Sequence, residues 1–105
     1  MEYICCDIKK LLKIGNELLT MNIENKNQYD EFKSKIKNWS FDIEECLKKY
    51  NKYDYLEKYK KIIYIGGIGN IKFTEKKEKY NILLKGRIKL LENILNEIQK
   101  CENCT

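Results

Sequence analysis

The sequence contains no histidine and no proline, and neither alanine nor valine occurs in it. Without an imidazole there is no histidine-dependent triad, no histidine ribonuclease pair and no helical zinc-protease motif. Arginine occurs once, as Arg87, beside twenty lysines. Bidentate arginine contacts to guanine are the commonest specific duplex contact, so base-specific duplex reading is disfavoured while backbone binding by lysine stays open. The only serines, Ser34 and Ser40, lack the strand-turn-helix context that activates a nucleophile. No apolar run approaches the about 20 residues of a membrane span. Internal repeats and Pro- or Ser-rich linkers are missing, so residues 1–105 are read as a single helical domain. Met1-Glu2-Tyr3 lacks the basic lead of a targeting segment, and a cytoplasmic protein is expected.

What the chain does contain is 43% hydrophobic and 35% charged residues in a length of 105, enough for one core and too apolar for a disordered tail. Fifteen Ile, eleven Asn, eight Tyr and twenty Lys are the residues that A- and T-rich codons supply, which points to an AT-rich bacterium or one of its phages. The net charge of +5 is therefore partly a codon effect and weak evidence for an anionic partner.

Apolar spacing defines four helices. Ile4, Ile8, Leu11, Leu12, Leu18 and Leu19 recur every three or four residues, predicting a first helix over about Tyr3 to Met21. Gly15 falls on that stripe and admits a close neighbour. Asn22 to Asn27 reads as a connection. Tyr29, Phe32, Ile36, Trp39, Ile43, Leu47 and Tyr50 make the clearest stripe, a helix of roughly six turns with Trp39 near the core's centre. Tyr55, Tyr59, Ile62 and Ile63 suggest a shorter third helix to about Ile65, although residues 62–65 are β-branched and aromatic enough for a strand. Gly66-Gly67-Ile68-Gly69-Asn70 predicts a loop. It matches neither the dinucleotide fingerprint nor a P-loop ending, and no cofactor is expected. From Thr74, read as an N-cap, the last helix continues to about Lys100, with Leu83, Leu90 and Ile94 widening its seam so that it touches two neighbours. The expected fold is all-α: a single antiparallel four-helix bundle with a glycine-rich loop between helices 3 and 4. The apolar surface of helices 2 and 4 also favours a symmetric dimer.

Charge is unevenly spread. The stretch from Lys48 to Lys61 carries +4 and that from Lys72 to Lys89 carries +5, leaving −4 for the rest of the chain. Both basic stretches flank the glycine loop, so one positive region on helix 3 and the first half of helix 4 is expected. A solvated face is the commoner meaning of such runs. The functional meaning is a partner surface made of Tyr53, Tyr55, Lys58, Lys60, Lys61, Tyr64, Lys72, Lys76, Lys77, Lys79 and Arg87. Tyrosine is favoured over lysine at protein interfaces, which makes Tyr53, Tyr55 and Tyr64 the contact candidates for a protein. The lysines and Arg87 are the candidates for phosphate neutralisation in a sequence-tolerant nucleic-acid binder, where tyrosines would stack on unpaired bases.

Cysteines stand at both termini: Cys5-Cys6, and Cys101 and Cys104. An even number of antiparallel helices places these ends together, a set that tetrahedral zinc accepts. Adjacent cysteines chelate poorly, however, and only one two-residue spacer is present. Reduced, incidental thiols without metal are the expectation, with Cys46 packing as a small apolar residue. Asp42, Glu44 and Glu45 precede Lys48 and Lys49 at surface-pair spacing, and no catalytic residue is assigned.

Leu11, Leu12, Gly15, Leu18 and Leu19, then Trp39, Leu47 and Tyr50, then Tyr55 and Tyr59 form a spaced set that resembles the helical module found N-terminal in prokaryotic antiphage immunity proteins. The resemblance covers most of the chain, to about Ile98. It departs at Gly66 to Asn70, and no effector domain follows. The resemblance implies a stand-alone interaction module without catalytic residues. In type the chain is also similar to small phage-encoded anti-CRISPR-like inhibitors, which act by occupying a partner's surface. Either implies a partner protein from a bacterial immune system.

Overall fold

The computed structural model describes residues 4–63 and 72–97, and these form four helices without a strand. They are α1 (Ile4–Thr20), α2 (Lys26–Lys49), α3 (Tyr53–Lys60) and α4 (Phe73–Glu97). Gly66 to Asn70 lies outside the described residues.

Local chemistry sets most helix ends. Asn25 takes an extended backbone and its Oδ1 accepts from Gln28 N–H at 2.9 Å, while the Gln28 side chain accepts from Glu24 N–H at 2.7 Å. This is a variant of the capping box, satisfying two backbone donors at once. It starts α2 at Lys26, inside the stretch expected to be a connection. At the other end Asn51 has φ 58°, and its N–H bonds Lys48 O at 3.1 Å while Lys52 N–H reaches Leu47 O at 2.7 Å. That is the Schellman pattern, with asparagine in the left-handed position usually filled by glycine. Helix α3 is shorter than expected: Ile62 and Ile63 are neither helical nor strand, and residues 64 and 65 lie outside the described residues. Thr74 falls within α4, whose first turn closes through Lys76 N–H to Lys72 O at 3.0 Å. The helix therefore starts slightly before the expected cap.

The buried stripes are those the spacing predicted. Phe32, Ile36, Trp39, Ile43 and Leu47 of α2 meet Ile8, Leu11 and Leu18 of α1 and Leu84, Ile88 and Leu91 of α4. Leu83, Leu90 and Ile94 are also buried, confirming the wide seam of α4. Trp39 is 1% exposed, and its Nε1 donates to Leu11 O at 2.8 Å. An indole buries about 150–250 Å², worth about 5 kcal/mol before chain entropy is subtracted. Gly15 is why α1 comes so close: a Cβ there would lie 2.7 Å from Trp39 Cζ2 and 3.0 Å from Ile88 Cγ1.

Pairwise contacts place the ends. Asp7 of α1 accepts from Tyr50 Oη at 2.7 Å, so the start of α1 lies beside the end of α2. Leu19, near the end of α1, meets Lys77 of α4, while Gly15 faces Ile88. Tyr55, near the start of α3, bonds Glu97 at the end of α4, and Ile62, just past α3, packs on Gly86.

Candidate functional site

The eleven residues proposed as a partner surface separate into four groups. Tyr53, Lys58, Lys60, Lys61 and Lys72 are exposed. Tyr55, Lys76 and Lys79 are half-buried, Lys77 and Arg87 are engaged inside the molecule, and Tyr64 lies outside the described residues.

Arg87, expected to face a partner, serves the interior. Its Nη1 donates to Ser40 Oγ at 2.6 Å and its Nη2 to Ile62 O at 3.1 Å, and its guanidinium lies 4.5 Å over the Tyr59 ring. Tyr59 in turn donates to Ser40 O at 3.3 Å. One planar cation thus ties α2, α3 and α4 together, a fork-and-stack geometry that lysine does not reproduce. Burial pulls the guanidinium below its ordinary pKa and pushes the Tyr59 hydroxyl above its own.

Lys77 is likewise turned inward, 8% exposed. Its Nζ donates to Leu19 O at 2.8 Å and to Asn81 Oδ1 at 2.7 Å, and sits 5.2 Å over the Phe32 ring. Leu19 O is one of the carbonyls that the end of α1 leaves without an intrahelical donor, so Lys77 acts as a C-terminal cap supplied by another helix. Burial lowers its pKa.

The single positive region on helix 3 and the first half of helix 4 does not form. Helix α3 lies against the second half of α4, because Tyr55 meets Glu97 and Ile62 meets Gly86. The first half of α4 turns to the other end, where Lys76 stands 4.9 Å over the Tyr29 ring and Tyr80 packs edge-on to Phe32. From Gly86 back to Lys76 is ten residues, about 15 Å along the axis at 1.5 Å per residue. Lys58 and Lys60 of α3 and Lys61 at its C-cap are thereby set apart from the Lys72 to Lys79 segment.

What remains outward at α3 is a corner. The left-handed Asn51 reverses the chain, leaving Tyr53 58% exposed beside a recess of about 390 Å³ lined by Asn51, Lys52, Tyr53, Asp54, Tyr55 and Glu97. The bond to Glu97 holds the Tyr55 hydroxyl protonated up to about 12, mainly because ionising it would forfeit that bond to the carboxylate. Tyr55 is thereby a fixed wall and Tyr53 the outward ring.

Sequence reasoning passed over a second concavity. Between α1 and α2 run two recesses of about 320 and 550 Å³ that share Ile14 and Asp42. Ile14 of α1 and Met21, just past its end, both line the smaller recess. Phe41 and Ile82, 61% and 75% exposed, stand on outer helix faces.

Cys5 and Cys6 are both disulfide-bonded, which overturns the expectation of reduced thiols and removes the thiolates that a zinc site at Cys5, Cys6, Cys101 and Cys104 would need. Cys101 and Cys104 lie outside the described residues. Cys46 is a free, buried thiol, and burial pushes it up to about 11, so it packs as an inert apolar residue. Among the described residues no group of three or more metal-ligating side chains occurs, and no helix is long and apolar enough to cross a membrane. No protein-family model matches the chain, and neither curated proteins nor solved structures give a match.

Proposed function

We propose that this chain is a non-enzymatic module that binds another protein in phage–bacterium conflict, in defence or in anti-defence, by occupying a surface of its partner. Its frame is an antiparallel bundle with the glycine-rich loop of residues 66–70 between helices 3 and 4. The contact residues are Tyr53 as the projecting ring at the α2–α3 corner, with Lys58, Lys60 and Lys61 toward the other end of α3. The observation that carries this reading is the exposure of Tyr53 beside a recess whose far wall, Tyr55 and Glu97, is internally tied. A rigid pocket with a projecting tyrosine is the kind of place where interface energy concentrates. The setting is supported by the resemblance to immunity modules and by the codon bias alone.

Sequence-tolerant nucleic-acid binding is the second reading, favoured by the exposed Lys58 and Lys60 on one eight-residue helix and the exposed Lys61 at its C-cap. It is weakened because Lys77 and Arg87, two of its phosphate contacts, are committed to internal acceptors. The test is affinity capture from the source cell with the wild-type chain and with Tyr53→Ala, both verified as folded by circular dichroism. A protein retained by the wild type and lost by the variant supports the first reading. Capture that needs Lys58 and Lys60, resists Tyr53→Ala and falls with salt by about 0.9 log units per log of salt for each duplex phosphate contact supports the second.

A further inference from the structure

We infer that a second copy of this chain docks on the outer face of α1 and α2, giving a dimer whose two-fold axis runs along the helices. This surface is separate from the α2–α3 corner, and the inference stands whatever that corner binds.

The dimer expected from the sequence rested on the stripes of helices 2 and 4, which are covered inside one chain. A different face is left open. Helix α1 packs on both α4 and α2, and its remaining flank joins α2 in a surface that carries the two recesses of about 320 and 550 Å³. Ile14, 39% exposed, stands at the centre of that surface, because both recesses share it with Asp42. Phe41, 61% exposed, borders it: Asn38 and Glu45, three and four residues away on the same helix face, each line one recess. Adjoining exposed apolar side chains on a concave face are the mark of an interaction surface. From Asp7 to Met21 the face is about 21 Å long, and two helices make it about 20 Å wide. That is small for a protein interface, so a Kd on the order of tens of micromolar is expected.

The charges on this face identify what covers it. Residue numbers on its two walls run in opposite senses: Asp7 lies 3.9 Å from Lys49, Ile14 shares both recesses with Asp42, and Met21 shares the smaller with Lys35. A two-fold axis along the helices lays α1 of one copy over α2 of the other in that same register. Lys10 then faces the second copy's Glu45, Glu17 faces its Lys37, and Ile14 packs on its Phe41. Symmetry makes each contact twice. All four charged groups are exposed. Among the described residues Lys10, Glu17 and Lys37 make no ion pair, and Glu45 makes only a loose one, 3.9 Å from Lys48. The other possible two-fold, perpendicular to the helices at Ile14, would set Asp42 against its own copy and Lys35 against Lys49, like charges in both cases. Charge register therefore selects the axis along the helices, which also places both Tyr53 corners at the same end of the dimer.

The test is sedimentation equilibrium of the full chain from about 1 µM to about 1 mM, which brackets that Kd, with covalent dimers excluded by non-reducing electrophoresis. A reversible monomer–dimer equilibrium is expected. Phe41→Ser should raise Kd at least about tenfold with unchanged helix content by circular dichroism. Lys10→Glu and Glu45→Lys each create two like-charge contacts in their own homodimer and should each raise Kd at least about tenfold. Mixed in equal amounts, these two variants should dimerise with nearly the wild-type Kd, because the mixed dimer restores two opposite-charge contacts. Such rescue between chains has no counterpart within one chain. A protein that stays monomeric to about 1 mM, its face left to some other protein, would overturn the inference. So would growth beyond the dimer, a dimer indifferent to Phe41→Ser, or a mixture of the two charge variants that associates no better than either alone.

Discussion

Replacing Gly15 with alanine tests the packing on which the core depends. The added Cβ would stand 2.7 Å from Trp39 Cζ2 and 3.0 Å from Ile88 Cγ1, both inside contact distance. The indole has no room to withdraw: it is 1% exposed and pinned by its 2.8 Å bond to Leu11 O. Overpacking of this kind costs about 1–3 kcal/mol, and Trp39's fixed position argues for the upper half. Alanine in place of glycine returns about 1 kcal/mol of helix propensity. The net expectation is a loss of about 1–2 kcal/mol, or a Tm lower by about 5–15 °C for a domain of this length, read by circular dichroism at the helical minimum. Gly86→Ala is the matched control, because its nearest neighbour is Ile62 Cγ2 at 3.1 Å, a longer contact than the one at Gly15 and made by a side chain on non-helical backbone. Its Tm should be unchanged or raised by a few degrees. In a Trp39→Phe background the cost of Gly15→Ala should shrink, since the clashing atom belongs to the indole's second ring, giving a coupling of about 0.5–3 kcal/mol in a double-mutant cycle. A Gly15→Ala protein at least as stable as the wild type would refute the reasoning.

Two further outcomes are expected. Arg87→Lys should destabilise by about 1–2 kcal/mol in urea titration, because the loss of a fork that bonds Ser40 and Ile62 leaves part-buried acceptors unpaired. A cost below about 0.5 kcal/mol, the ordinary surface value, would return Arg87 to the solvent-facing role. Burial raises the Cys46 thiol from 9.0 to about 11, so the folded chain holds that proton more tightly than the unfolded one. Its contribution to stability is complete below pH 9 and is lost as pH rises through about 11. Stability measured across this window should fall less steeply in Cys46→Ala, and thiolate absorbance should show no ionisation of Cys46 near pH 9.

Helix identity was legible because it rests on apolar spacing, which each segment carries by itself. The stripe from Tyr29 to Tyr50 and the wide seam of α4 are buried as read. The start of α2 was equally legible, since Asn25-Lys26-Asn27-Gln28 has the capping-box pattern, but a run of polar residues masked it. Asn51 showed only as a break in the stripe, and the Schellman turn it makes explains why α3 begins where it does.

By itself the sequence determined four amphipathic helices, their stripes, and a tryptophan that had to be covered, because burying apolar surface is a property of each segment's own pattern. Only the tertiary structure decided which charges face water. Arg87 and Lys77 read as exposed cations until the packing supplied Ser40, Ile62 and Leu19 as acceptors from other helices. The length of α3 and its place beside the far half of α4 likewise split one basic region into two. Whether a charged side chain is surface or interior depends on partners distant in sequence, and local spacing carries no record of them.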